Sequence, residues 1–285
     1  MSTTRQAEYD RTRIDIFKRY EHEVKHKPEC IAFMQQELQK IEQRKIVPQG
    51  VAIIIVTYCS QDTIIDCLTS VIATARHFDE VYVVDNASTD DTEFVVRQAI
   101  KGKPNFFCIQ NGENLGFSEA CNVGILSSKL PFILLLNPDT IVTKNWLEQL
   151  SLHFNNEHVA AVGPISNYAW GAQNVSGYVN GKLGDIHSAA AEIQRVLKGK
   201  SVEVKLLIGF CLMIKRSALD KIGLLDHQLF LGNDDLDISW RLRLEGYSLK
   251  VAIDTFVYHK GQHSFKQAGK SKTDLLVEQS TNILY

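Results

Sequence analysis

Phe132-Ile133-Leu134-Leu135-Leu136-Asn137-Pro138-Asp139-Thr140 is the stretch that decides the fold. An apolar run cut off by a short polar turn reads as a strand buried on both faces of a parallel sheet. Ligands of such sheets gather beyond the carboxyl ends of the strands. Asp139 therefore stands at the mouth of a sheet, where one carboxylate can hold a divalent cation or a sugar nucleotide.

Working outward, the chain after Pro48-Gln49-Gly50 alternates apolar or β-branched runs with amphipathic stretches. The spacing predicts strands over 51–57, 80–84 and 106–110 besides 132–136, and helices over 63–75, 90–100 and 117–127 between them. Strands separated by helices of this length make a parallel sheet wound with right-handed crossovers, an α/β fold. A further strand is expected over 249–257.

The second strand ends as the fourth does. Val84-Asp85-Asn86 puts a carboxylate just past an apolar run, and Ala87-Ser88-Thr89-Asp90 supplies polar residues suited to cap a helix. Asp85 can accept hydrogen bonds from ribose hydroxyls or a base edge, as acidic residues do in dinucleotide folds; equally, it can simply cap the next helix. After the first strand, Thr57-Tyr58-Cys59-Ser60 contains no glycine-rich turn, so no G-x-G-x-x-G backbone closes on a pyrophosphate, and no G-x-x-x-x-G-K-[ST] loop occurs. A dinucleotide-dependent oxidoreductase is disfavoured, and phosphates must be neutralised otherwise, as by a metal held at Asp139.

A third acidic cluster, Asn233-Asp234-Asp235-Leu236-Asp237, opens a predicted helix that Gly246 terminates. The helix dipole favours carboxylates in a first turn, which accounts for part of the cluster. Asp237 and Arg241, four apart, pair on one face, whereas Asp235 projects nearly opposite to Asp237. Asp235 is then left to face the cleft, with Asp234 accompanying it from the cap. Past the last strand, Tyr258-His259-Lys260-Gly261-Gln262-His263 offers two histidines. Alone, either reads as a surface residue; beside a metal carboxylate on the same sheet edge, imidazole suits manganese, with His259 first and His263 in reserve.

The 285 residues, 45% apolar, carry a formal charge of -2, which gives no broad attraction for nucleic acid or an anionic membrane. Six cysteines form no C-x-x-C pair, the pattern of reduced core thiols in a cytosolic protein. Residues 1–20 lack the apolar centre of a signal peptide, and no run approaches the roughly 18 apolar residues that span a bilayer. A cytoplasmic protein is expected, at most attached to the inner face of the membrane. Ile14, Phe17, Tyr20 and Val24, then Ile31, Met34, Leu38 and Ile41 beyond Lys27-Pro28, recur at helical spacing. Two amphipathic helices over 1–48 make a cap on the main domain or, in the sharper reading, a hairpin for oligomerisation or membrane contact. A main domain over 49–265 and a tail over 266–285 without an obvious terminal element complete the expected organisation.

Val56-Thr57-Tyr58, Val84-Asp85-Asn86-Ala87-Ser88-Thr89-Asp90, Asn114-Leu115-Gly116-Phe117, Leu136-Asn137-Pro138-Asp139-Thr140, Val162-Gly163-Pro164, Asp234-Asp235-Leu236-Asp237 and Val257-Tyr258-His259, in this order and spacing, resemble the family 2 glycosyltransferases. Within that family they look most like the rhamnosyltransferase-like branch that builds bacterial surface polysaccharides. The resemblance covers 51–264 and implies an A-type glycosyltransferase fold with a mainly parallel central sheet flanked by helices. It further implies a UDP- or dTDP-sugar donor, inversion at the anomeric carbon, a Mn2+ or Mg2+ ion, and a saccharide or lipid-linked saccharide as acceptor. By position, Thr57, Tyr58, Asp85, Asn86 and Asn114 would line the nucleoside pocket, with Asn137 also on the donor side. Asp139 matches the last acid of the D-x-D metal motif, and His259 a histidine that joins the metal or the diphosphate. Asp235 matches the base, with Asp234 on the acceptor side. Gly209 would bring backbone close to the donor sugar, unless it serves only the packing of a core strand. The polar region 170–200, without strong periodicity, would shape the acceptor site.

Three departures qualify the match. Asn137 stands where many members have the first aspartate of D-x-D, and Asp234 replaces the more usual glutamate. The Q-x-x-R-W motif of processive relatives is absent, although Trp240-Arg241 is superficially similar, which argues for addition of one sugar. Two other classes compete: a sugar nucleotidyltransferase, which should show a glycine-rich basic loop after its first strand, and a catalytically silent glycosyltransferase-like scaffold working through its helical amino terminus.

Overall fold

Every residue of strand β1, Val51–Thr57, is buried, as a strand covered on both faces requires. The computed structural model describes Gln35 and residues 50–179, 185–261 and 270–284 of a chain that divides into two compact units, Met1–Val47 and Pro48–Tyr285. The two helices expected over 1–48 lie outside the described residues, Gln35 apart. From β1 the elements follow as α1 Ile64–Thr74, β2 Glu80–Asp85, α2 Thr92–Ala99, β3 Phe106–Gln110, α3 Phe117–Ser127, β4 Phe132–Leu136, β5 Thr140–Ile141, α4 Trp146–Leu152 and β6 Val159–Ile165. The second half comprises α5 Ser176–Val179, α6 Ile186–Leu197, β7 Ser201–Val204, β8 Cys211–Lys215, α7 Arg216–Ile222, α8 Asp234–Leu244, β9 Ser248–Phe256, β10 Tyr258–His259 and α9 Lys270–Leu284.

Eight strands form one sheet in the order β3-β2-β1-β4-β8-β6-β9-β7. The first four are parallel, as their separation by helices predicts. The chain leaves β1 to one side for β2 and to the other for β4, so a topological switch point lies between β1 and β4, and a crevice opens beyond their carboxyl ends. The other half is mixed: β8 runs antiparallel to both β4 and β6, β9 is parallel to β6, and β7 closes the edge antiparallel to β9. The reversal of β8 matters for the site. It sets Cys211 opposite Leu136, and the Asn137 amide donates to the Phe210 carbonyl at 2.9 Å, so Gly209 and Phe210 arrive at the edge where β1, β2 and β4 end.

Two glycines fix how the helices meet this sheet. A Cβ at Gly124, in the middle of α3, would lie 2.4 Å from Ile54 Cγ2 and 3.3 Å from Val84 Cγ2, so the helix backbone itself rests on β1 and β2. Gly116, before α3, has φ +83°, and a Cβ there would lie 2.8 Å from the Phe230 carbonyl oxygen. That carbonyl accepts the Phe117 amide at 2.8 Å, which ties the turn into α3 to the segment leading into α8.

Among the described residues the five cysteines are free, and burial pushes the thiols of Cys67, to about 12, and of Cys121 and Cys211 up, which suits core filling rather than reactivity. No helix among them is long and apolar enough to cross a membrane. Two expectations are corrected. The tail contains a terminal element after all, α9, and the region read as lacking periodicity contains α6, capped by Asp185, whose side chain accepts the His187 amide at 3.0 Å.

Gly124→Ala is expected to destabilise the fold by about 1–3 kcal/mol, because overpacking against Ile54 outweighs the roughly 1 kcal/mol that alanine gains in a helix. A denaturant titration checks this; an unchanged or raised midpoint would contradict the contact between helix and sheet.

Candidate functional site

The carboxyl ends of β1 and β2 meet in register at Thr57 and Asp85. Asp85 is fully buried and accepts hydrogen bonds from Thr57 Oγ1 (3.1 Å), from the Ser88 amide (3.2 Å) and from the Ser88 hydroxyl. A carboxylate has about four acceptor positions, so one is left for a ligand. Asp85 does not cap α2. Asp91 holds the N-cap position without a side-chain capping bond, and the preceding Asp90 accepts the Thr92 amide (3.1 Å) and hydroxyl (2.6 Å) at its Oδ1. Tyr58, next along from Thr57, exposes its ring (42%) beside this edge.

Asn86 has a different part from the one its position suggested. Its Nδ2 donates to Asn114 Oδ1 (2.8 Å) and the Gly116 carbonyl (3.1 Å), and its Oδ1 accepts from Asn111 Nδ2 (3.0 Å) and the Leu115 amide (3.0 Å). All four hydrogen-bonding positions of the amide are filled. Asn86 thus shapes the loop, while Asn114, whose Oδ1 also accepts the Gly116 amide at 3.0 Å, keeps its Nδ2 without a hydrogen-bond partner among the described residues.

Beyond β4 the turn is closed by Thr140 Oγ1 donating to the Asn137 carbonyl at 2.8 Å. Asn137 is half-buried and its side-chain amide has no partner among the described residues. Strand β5 pairs antiparallel with β10, setting Thr140 opposite His259, and the Lys260 amide donates to the Asp139 carbonyl at 2.9 Å. His259 Nε2 lies 3.1 Å from Asp139 Oδ1, with both side chains largely buried. The ring stacks on Phe210 at 5.2 Å between centroids and meets Tyr168 edge-on at 5.5 Å. Asn167 grips the His259 backbone on both sides, accepting its amide and donating to its carbonyl at 2.9 Å each. The second ring nitrogen, Nδ1, is 2.9 Å from the Tyr168 carbonyl oxygen. A carbonyl only accepts, so Nδ1 carries a proton. A neutral imidazole then turns its Nε2 lone pair toward a carboxylate oxygen, and the pair is satisfied only by a proton or a metal ion between them. The residues therefore fit a divalent cation held by one carboxylate and one imidazole. Among the described residues no third His, Cys, Asp or Glu joins them, so remaining ligands would come from substrate and water, as oxygen-seeking cations accept.

On the opposite lip, Asp234 and Asp235 begin α8. Asp235 Oδ2 accepts the Gly209 amide at 3.0 Å and Oδ1 the Leu236 amide at 2.8 Å. A Cβ at Gly209 would lie 3.4 Å from that of Asp235 and 3.5 Å from Asp234 Oδ2, so Gly209 sits directly against the acid pair. Burial, then the neighbouring Asp235 carboxylate, pushes the Asp234 carboxyl up to about 7; burial likewise raises Asp235, partly offset by the amides of Gly209 and Leu236. Asp237 is held, as its spacing predicted, by Arg241 Nε (2.9 Å) and Nη2 (2.5 Å), and Arg241 Nη1 reaches the Ile222 carbonyl at 3.0 Å.

The fold thus gathers Thr57, Asp85, Asn114, Asn137, Asp139, Gly209, Asp234, Asp235 and His259 along one edge of the sheet. His263 lies outside the described residues. Sequence reasoning missed the supporting residues: Ser88 and Asn111 behind the donor side, and Asn167, Tyr168 and Phe210 around His259. Only Phe210, beside the singled-out Gly209, carried any signal.

Known proteins resemble both sequence and fold. The model of "Glycosyl transferase family 2" matches residues 52–223, more than half of the chain. A poly-beta-1,6-N-acetyl-D-glucosamine synthase of Staphylococcus aureus (strain MSSA476) is 26% identical over 204 residues, 71% of this chain and 48% of the relative. The chain spans about half the length of the curated relatives it matches. The mannosyltransferase PcManGT from Pyrobaculum calidifontis, in complex with GDP-Man and Mn2+, superposes with a TM-score of 0.58 at 19% identity, over 77% of this chain and 60% of its own. S. aureus TarS in complex with UDP-GlcNAc gives 0.56 at 18% identity, over 74% and 58%. The fold is thus the A-type glycosyltransferase fold. With the family model spanning β1 to the end of α7, where the sheet and its switch point are built, the chain belongs to glycosyltransferase family 2.

Proposed function

We propose that this domain transfers one sugar, with inversion, from a UDP- or dTDP-linked donor to a hydroxyl of a saccharide or lipid-linked saccharide, in the assembly of a bacterial surface polysaccharide or glycoconjugate. The observation that carries the reading is the Asp139–His259 contact at the mouth of the sheet, a carboxylate and an imidazole nitrogen 3.1 Å apart that together fit a divalent cation. The ligands of two fold neighbours, GDP-Man with Mn2+ and UDP-GlcNAc, support a nucleotide-sugar donor. N-acetylglucosamine also appears in the curated relatives' name, so UDP-GlcNAc is the first donor to test.

Asp139 and His259 would hold Mn2+ or Mg2+, with Asn137 at the donor's side. Such an ion supplies neutralisation of the charge that develops on the departing nucleotide diphosphate. Asp85 and Asn114 would bind the nucleoside through the acceptor and donor positions left open, beneath the Tyr58 ring. Asp235 would take the proton of the acceptor hydroxyl, and its orientation is fixed by the Gly209 amide. A base works best when its pKa lies near the working pH, which suits carboxyls raised by burial. The missing Q-x-x-R-W motif favours a single addition, whereas the relatives' name is that of a polymer synthase; the length of the product decides between them.

Asp235→Asn is expected to lower transfer by about 10²-fold or more, while UDP still binds in calorimetry. Wild-type turnover should fall as the medium is acidified, because burial raises the Asp235 carboxyl above the usual aspartate range and its protonation removes the base. Near-normal turnover in the variant removes Asp235 from the role of base. Asp139→Ala is expected to abolish the enhancement of UDP binding by Mn2+; an affinity equal to wild type, with the same dependence on Mn2+, counts against the metal site.

A further inference from the structure

The turn that launches the acid pair is held from outside α8. Gly232 and Asn233 adopt consecutive left-handed conformations, φ +78° and +65°. Asn233 occupies the N-cap position of α8 but makes no capping bond with its side chain. Its Nδ2 instead donates to Thr281 Oγ1 of α9 at 2.8 Å. Two residues before Asn233, the Leu231 amide donates to Ser280 Oγ at 3.4 Å, and Val277 packs where a Cβ on Gly232 would lie 3.4 Å away. Thr281 Oγ1 gives its own proton to the Val277 carbonyl at 2.8 Å, so it faces Asn233 as an acceptor.

The inner face of α9 is part apolar and part polar. Leu276 and Val277 are half-buried on it beside Ser280, which is only 1% exposed, while Leu275 and Ile283 are 58% and 46% exposed on the other side. A face chosen by apolar burial alone would have no use for a buried serine at its centre. We infer that α9 is a positioning element for the Asp234–Asp235 pair, with Thr281 and Ser280 as the positioning residues. The inference rests on the catalytic reading of that pair given above. With Gly209 gripping Asp235 from one side and α9 gripping the preceding turn from the other, the first turn of α8 has one direction in which to start.

The test uses Thr281→Val, which keeps the volume and removes the acceptor, Thr281→Ser, which restores it, and Ser280→Ala. Carboxyl-carbon NMR titration of aspartate-labelled full-length protein follows the pair, assigned with Asp234→Asn and Asp235→Asn. Facing the pair are the Gly209 amide, Asp237 with its partner Arg241 on α8, and the Cys121 thiol of α3, none of which the α9 variants alter. Freeing the turn admits water to the carboxylates, so the upper midpoint should fall by about half a pH unit or more in Thr281→Val and Ser280→Ala, and stay at the wild-type value in Thr281→Ser. Superimposable curves for Thr281→Val and wild type, or an equal shift in Thr281→Ser, would overturn the inference. A shifted titration together with full turnover in Asp235→Asn would leave the positioning intact and remove only the assignment of the base.

Discussion

The site depends on one contact, the carboxylate of Asp139 against the imidazole of His259. It is made by a short ladder, the two-residue strands β5 and β10, extended by the bond from the Lys260 amide to the Asp139 carbonyl. Asn167 and the Tyr168 carbonyl lock the ring in place and fix its tautomer, and Phe210 supports its face. Phe210 also receives the Asn137 amide, and its neighbour Gly209 donates to Asp235. The cation side and the acid side are therefore joined by a continuous path of bonded groups, which is the preorganisation that electrostatic stabilisation of a leaving group requires.

The loop beyond β2 is held as tightly. Asn86, saturated by Asn111, Asn114, Leu115 and Gly116, stiffens it. Gly116, wedged against Phe230, links that loop to the turn before α8. The loop behind Asp85 and the turn before Asp234 and Asp235 then share one frame, so that a shift in one is felt at the other.

The parts of this architecture that were legible in the sequence are those dictated by local periodicity. The runs that became β1, β2 and β4 are apolar because both faces of those strands are covered, and the Asp237–Arg241 pair follows from the helical repeat. Tertiary contacts decide the rest. The antiparallel course of β8 leaves no mark within its own five residues, and a two-residue strand such as β5 or β10 exists only through its partner. In α6 the stripe Ile186, Ala189, Ala190, Ile193 and Leu197 does recur at helical spacing and was passed over among its polar neighbours, whereas α9 sets the polar Ser280 inward beside Val277. That the Asn86 amide is saturated within its own loop is likewise a tertiary fact, since its partners lie 25 to 30 residues further along the chain.

Pulsed electron paramagnetic resonance of the protein loaded with Mn2+ and UDP tests the central claim most directly. Nitrogen modulation from a coordinated imidazole is expected in the wild type and should disappear in His259→Ala. A Mn2+ signal coupled only to phosphorus and water protons, identical in the two proteins, would contradict a cation held between Asp139 and His259.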